Sequence, residues 1–223
     1  MKRFIILVFF VIPFSCWAQT YFGVKVGYSP ISTISFKPGY NQTPFYGEKP
    51  DFGLILKYYD NKWAGFQGEL NFTQRGYNLP VHDTCQYRRV SDYVELPIIF
   101  QLHLKLTGGL YVHVGAGCYA AYMLSSKEGT DTTGKMVLHN YKTNILRDSK
   151  FDYGLVGGGG LSYDFKWGTI QLDVRIQYGF ADLYKYNYTD APQQSKSVVQ
   201  NVNISYMYNF SKLKRNKKEY KTP

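Results

Sequence analysis

Between Thr169 and Ala181 apolar and polar residues alternate without a break, with Ile170, Leu172, Val174, Ile176, Tyr178 and Phe180 set against Gln171, Asp173, Arg175, Gln177 and Gly179. Successive side chains leave opposite faces of a β-strand, so a period of two predicts a strand with one apolar and one polar face. The same pattern recurs along the chain and predicts eight strands: Thr20–Tyr28, Pro50–Tyr59, Ala64–Tyr77, Ser91–Leu104, Leu110–Leu124, Phe151–Asp164, Thr169–Ala181 and Val198–Phe210. An acid and a base in mid-strand on one face, with an apolar row on the other, suit a barrel in lipid that is apolar outside and polar inside.

The intervals between these strands alternate in length. Ser29–Lys49, Asn78–Val90, Ser125–Lys150 and Asp182–Ser197 are long and polar, whereas Asp60–Trp63, Lys105–Gly109 and Phe165–Gly168 are tight turns punctuated by Asp-Asn, Gly-Gly and Trp-Gly. Long loops at one end and short turns at the other are the habit of outer-membrane barrels, whose short turns face the periplasm. The expected fold is therefore all-β, an eight-stranded antiparallel up-and-down transmembrane β-barrel. Periodicity alone leaves open which face is inward, as in a secreted lipocalin-like cup. The export signal, the aromatic residues and the last strand favour the membrane barrel.

The polar face collects four bases (Lys25, Lys57, Arg75, Arg175) and five acids (Glu69, Glu95, Asp152, Asp164, Asp173). An unpaired charge in a narrow lumen would be costly, so near-balance implies mutual pairing. Lys25, Glu69, Glu95, Asp173 and Arg175 are expected near mid-height as an ionic core. An eight-stranded interior is just wide enough for its own side chains to fill.

The chain opens with Met1-Lys2-Arg3, an apolar run Phe4–Phe14 and the small-x-small stretch Cys16-Trp17-Ala18, the layout of a secretory signal peptide over residues 1–18. Its apolar run is too short to span a bilayer, which takes about 20 residues. Residues 19–210 form the expected barrel and 211–223 a basic periplasmic tail, with six bases against one acid. Without the signal peptide the chain holds 24 bases and 16 acids, near +8. An exported chain meets little nucleic acid, so the charge points to anionic lipid or an acidic protein instead. The composition, rich in Tyr (22), Phe (15) and Gly (21), fits strands with aromatic girdles.

Candidate chemistry is sparse. A lipid hydrolase or acyltransferase would need a nucleophile and base at one rim. His82-Asp83 with Ser91, and His139 with Ser149, supply such residues without a spaced motif around them. The four His are scattered, and Cys85 and Cys118 lack paired spacing, so neither a metal, a cofactor nor a disulfide is expected. Pro97 in mid-strand removes a ladder donor and suggests a bulge or bend, and Gly157–Gly160 suggests strong local curvature.

Glu69-Leu-Asn-Phe-Thr-Gln-Arg-Gly-Tyr77, then Asp92-Tyr-Val-Glu-Leu-Pro-Ile-Ile-Phe100, Gly115-Ala-Gly117 and Gly157–Gly160 together give a sequence that resembles the PorT-like outer-membrane β-barrel family of Bacteroidetes. The resemblance implies an eight-stranded outer-membrane barrel and brings no catalytic residues with it. One branch of that family takes part in protein secretion across the outer membrane. The strand Val202-Asn-Ile-Ser-Tyr-Met-Tyr-Asn-Phe210 looks like the terminal strand such barrels present for assembly. The expected partners are outer-membrane lipid and, through loops or tail, secretion-system or periplasmic proteins. The expected role is non-enzymatic, with a lipid-modifying enzyme or a small pore as the alternatives.

Overall fold

A computed structural model describes residues 19–37, 43–59, 63–82, 85–131, 136–144, 146–185 and 192–209. The expected signal peptide, the basic tail, the Asp60-Asn61 punctuation and Phe210 lie outside the described residues. The strands are β1 (Gln19–Lys37), β2 (Asp51–Tyr59), β3 (Ala64–His82), β4 (Cys85–Thr107), β5 (Leu110–Asp131), β6 (His139–Asn140), β7 (Phe151–Asp164), β8 (Thr169–Asp182) and β9 (Gln194–Asn209). Each long strand pairs antiparallel with its neighbours, and β1 closes onto β9 through Tyr21 opposite Asn209 to Lys37 opposite Gln194. The eight long strands thus form a closed ring, and the short β6 pairs with β5 beyond the end of β7. Closure leaves no sheet edge, which is what lets strands cross hydrocarbon with their backbone groups paired.

Side chains alternate across the wall as the period-two pattern requires. Val24, Leu54, Phe72, Leu96, Val114, Leu155, Val174 and Ile204 face outward, while Lys25, Lys57, Glu69, Glu95, His113, Asp152, Asp173 and Arg175 are buried inside. Asp164 departs from the expected lumen set. It shares the inward parity of β7 but sits exposed at the Phe165–Gly168 turn, where it accepts a hydrogen bond from Thr169 Oγ1 at 2.5 Å. Without it, the charged residues assigned to the lumen are four bases and four acids.

The wall is taller than the sequence pattern foretold. β7 has the expected bounds, but β1 runs past Tyr28 to Lys37, β3 past Tyr77 to His82 and β5 past Leu124 to Asp131, while β4 begins at Cys85 and β9 at Gln194. Much of what reads as loop is strand. The physical reason is a reversal of polarity with height. Above the lipid belt Ile34, Phe36 and Tyr77 point inward and Ser35 and Lys37 outward, so the outer extension is built like a water-soluble barrel. Register shifts at Tyr28/Ile31, Asp92/Tyr93 and Tyr178/Asp182 reset the phase where one regime gives way to the other.

At the opposite end β4 and β5 run closer together than expected, Thr107 pairing with Leu110 across a two-residue Gly108-Gly109 turn. Gly108 has φ +53°, the left-handed region that glycine enters without steric cost. Pro97 pairs in register with Tyr119 on β5, and the β3–β4 register is the same on both sides of it, so it omits a ladder bond there without the expected bulge. Strand β8 passes so close to Gly160 that a Cβ there would overlap the Leu172 carbonyl oxygen, the close approach that a glycine run in a curved wall allows.

Candidate functional site in the lumen and outer mouth

Inward parity on eight strands brings the charged side chains into stacked layers. Nearest the short turns, Tyr21, Ile55 and Met207 pack together with Tyr59, whose ring meets His103 edge-on at 4.9 Å. Above them Lys57 Nζ donates to Gln171 Oε1 at 2.7 Å, Gln171 donates to Asp173 at 2.8 Å, and His113 Nε2 lies 2.9 Å from Asp173. The next layer centres on Glu69, which accepts from Lys25 at 2.6 Å, Arg175 at 2.7 Å, Gln67 at 2.5 Å and Asn71 at 2.9 Å. Arg175 also reaches Asp173 at 3.2 Å.

A further layer centres on Arg75, between Glu95 and Asp152, with its Nη1 2.7 Å from Asp152. Gln177 donates to Glu95 at 2.6 Å, Tyr119 and Ser197 donate to Asp152 at 2.9 and 2.8 Å, and the guanidinium lies 5.0 Å from the ring centres of both Tyr93 and Tyr119. Of the five residues expected to form one core, Lys25, Glu69, Asp173 and Arg175 come together. Glu95 instead belongs to the Arg75 layer, because its strand position places it one layer further out. Each of the five is no more than 5% exposed.

The outer mouth was not legible as a site. Arg89 is 1% exposed and stacks 3.9 Å from the centre of Tyr141. It donates to Tyr184 Oη at 2.9 Å and Ser126 Oγ at 3.1 Å and faces Asp148 at 3.4 Å. Asp148 also accepts from Tyr141 Oη at 2.8 Å, and the Tyr141 phenol is pushed up to about 12, by burial first and then by that bond. The stretch before β7 is therefore fastened over the mouth. Arg89 and Asp148 fall in intervals that read as loops, so parity gave no signal for them. Asp51, which accepts from Ser29 Oγ at 2.5 Å, could have been found from its shared parity with Ile55 and Lys57.

Two small voids lie within this packing. One of about 10 Å³ lies by Gln101, His113 and the glycines of β7, and one of about 30 Å³ lies between the Arg75 layer and the Tyr77 and Arg89 side chains. Each has room for about one or two waters. Among the described residues named as possible enzyme parts, neither serine pairs with a histidine. Ser149 Oγ donates to the Phe151 carbonyl at 3.0 Å, Ser91 Oγ lies 2.8 Å from Ser126 Oγ, and His139 is exposed. The His82 side chain and Asp83 lie outside the described residues. Cys85 is near the outer tip, Cys118 faces outward in mid-belt, and both are free. No cluster of three or more potential metal ligands of the His, Cys, Asp or Glu type occurs among the described residues.

The family model of the outer membrane protein beta-barrel domain matches residues 17–185. The chain belongs to this family. The outer membrane protein beta-barrel domain places it in the outer membrane, with the apolar belt against lipid and the charged layers within. Solved structures similar to it include neisserial surface protein A, at 11% identity and a TM-score of 0.42, covering 85% of this chain and 97% of that one. OprG of Pseudomonas aeruginosa matches at 11% identity and a TM-score of 0.46, covering 86% and 95%. Ail of Yersinia pestis, in complex with the heparin analogue sucrose octasulfate, matches at 13% and 0.39, covering 85% and 99%. No curated protein matches this family member.

Proposed function

We propose that the protein is a sealed, non-enzymatic barrel whose function lies in what it presents outside the hydrocarbon. The observation that carries this reading is the lumen itself. Charged layers fill it from Lys57 to Arg75, and the voids beside them have room for about one or two waters each. A pore would need a continuous polar path, and a lipid-modifying enzyme a nucleophile joined to a base at a rim. The ionic layers serve structure, and the outer extension, raised clear of the lipid on rigid strands, is where binding is expected.

Membership of the secretion branch of the PorT-like family is the second reading. Arg75-Gly-Tyr77 followed by Tyr93-Val-Glu-Leu-Pro97 carries the resemblance to the family as a whole, and the basic tail offers a periplasmic partner opposite charge to bind. A photo-crosslinking residue placed at Lys142 in the outer mouth, or at Lys166 in an opposite turn, separates the two. Both positions are exposed. An outer-surface binder should give adducts from Lys142, whereas a secretion component should give periplasmic or inner-membrane protein adducts from Lys166. Adducts with neither position would remove both readings.

A further inference from the structure

Exposed charge on the outer extension is distributed unevenly around the ring. On the side of β3 and β4 it is paired, Arg88 with Glu48 at 2.6 Å and Lys49 near Asp92 at 3.9 Å. Around the other side, from β5 through residues 141–150 and β8 to β9 and β1, stand Lys127, Lys142, Lys150, Lys196 and Lys37. None of these five has an acid within 4.0 Å among the described residues. Three acids on that side are engaged elsewhere, Asp148 beneath Arg89, Glu128 by Tyr87 Oη at 2.7 Å and Asp182, the ladder neighbour of Lys196, by the Ser195 N–H at 2.5 Å.

The height of these lysines is set by the rings beneath them. Phe151, Tyr153, Phe180 and Tyr178 form a chain of contacts on the outer surface, with successive centroids 6.0, 6.3 and 5.8 Å apart. Such rings mark the boundary between hydrocarbon and headgroups. Lys150 immediately precedes Phe151, and register places Lys196 opposite Ser35 with Lys37 two residues further out, on the far side of the same boundary from the lipid belt.

We propose that this one-sided basic collar binds phosphate-bearing lipid headgroups of the outer leaflet. The inference rests on the reading that the barrel works at its outer surface. A lysine ammonium is a compact point charge suited to phosphate, and its attraction acts over about a Debye length, ~10 Å at 0.1 M salt. The headgroup layer beside the girdle lies within that reach, and the paired charges on the opposite side offer it little.

The test titrates the full-length barrel, folded in zwitterionic detergent, with a diphosphorylated glycolipid and with its dephosphorylated form. Lysines near an anionic surface each contribute about fivefold, so Lys127→Gln, Lys142→Gln and Lys150→Gln together should weaken binding of the phosphorylated lipid at least tenfold. Heat-modifiability on gels should show the variant still folded. Wild-type binding should fall between about 0.05 and 0.5 M salt, and the dephosphorylated lipid should not distinguish the two proteins. Unchanged binding in the triple variant would overturn the proposal. So would a loss produced instead by replacing Lys212, Lys214, Lys217 and Lys218 of the tail with glutamine, or equal competition by an acidic polypeptide. The sealed-lumen reading is judged separately by conductance, which these substitutions leave untouched.

Discussion

Replacing Arg75 with methionine is expected to destabilise the folded barrel by about 3–5 kcal/mol, the usual cost of removing one partner from a buried ion pair. The guanidinium pairs with both Glu95 and Asp152 and lies against Tyr93 and Tyr119. Its loss would leave two carboxylates in a narrow interior that has few other donors to offer. The deficit should come from charge more than from volume. Adding Glu95→Gln and Asp152→Asn to the same chain should therefore recover most of it, since a neutral layer of similar shape is often as stable as an ion pair. Urea unfolding of the barrel refolded in lipid vesicles gives both numbers. A loss below about 1 kcal/mol in the single variant, within the range of an exposed pair, would mean that the Arg75 layer is solvated and not a sealed structural unit. Arg175→Met, which leaves Glu69 to Lys25 and Asp173 to Gln171 and His113 in the neighbouring layer, should lower stability in the same direction by less.

Val174→Arg acts from the other side of the same strand and should cost about 2–4 kcal/mol, the penalty for arginine on the lipid face near the midplane. Val174 is 55% exposed, and its neighbours across the wall are Gly159 and Val202. Neither offers an acid for the new charge to meet. Leu96, equally exposed on β4, should respond alike. The discriminating comparison is with the same barrel in detergent without a bilayer, where the penalty should shrink because the substituted surface is more easily hydrated. An equal loss in vesicles and in detergent would point to a packing defect and count against a lipid-facing belt.

The strand cores were legible because one physical rule governs them. Inside the lipid belt each residue faces either hydrocarbon or a packed polar lumen, so Phe151–Asp164 and Thr169–Ala181 declare their faces residue by residue. That rule fails above the belt. There Ile34 and Phe36 turn inward while Ser35 and Lys37 meet water, and the bulge after Tyr28 shifts the phase just where the polarity reverses. A reader following one phase sees Ser29–Lys37 dissolve into loop. Parity also assembled the lumen residues correctly as a set but carried no information on height. Glu95 consequently went with Glu69 and Asp173, although the stagger of β4 against β3 and β8 delivers it to Arg75 and Gln177. Arg89 and Asp148 were invisible for a third reason. Their pairing depends on where Tyr141, Asn144 and Asp148 sit at the mouth, and no short-range pattern encodes that.

The central claim, that stacked ionic layers seal this outer-membrane barrel, is tested most directly by recording wild-type protein in planar bilayers after confirming its folded state by heat-modifiability. The account expects a silent membrane at moderate voltage, and one that stays silent when the Arg75 layer alone is cut back by alanine at Arg75, Glu95 and Asp152, because the Glu69 layer still closes the lumen. Steady ohmic conductance from the wild-type barrel would contradict it and make the lumen a pore.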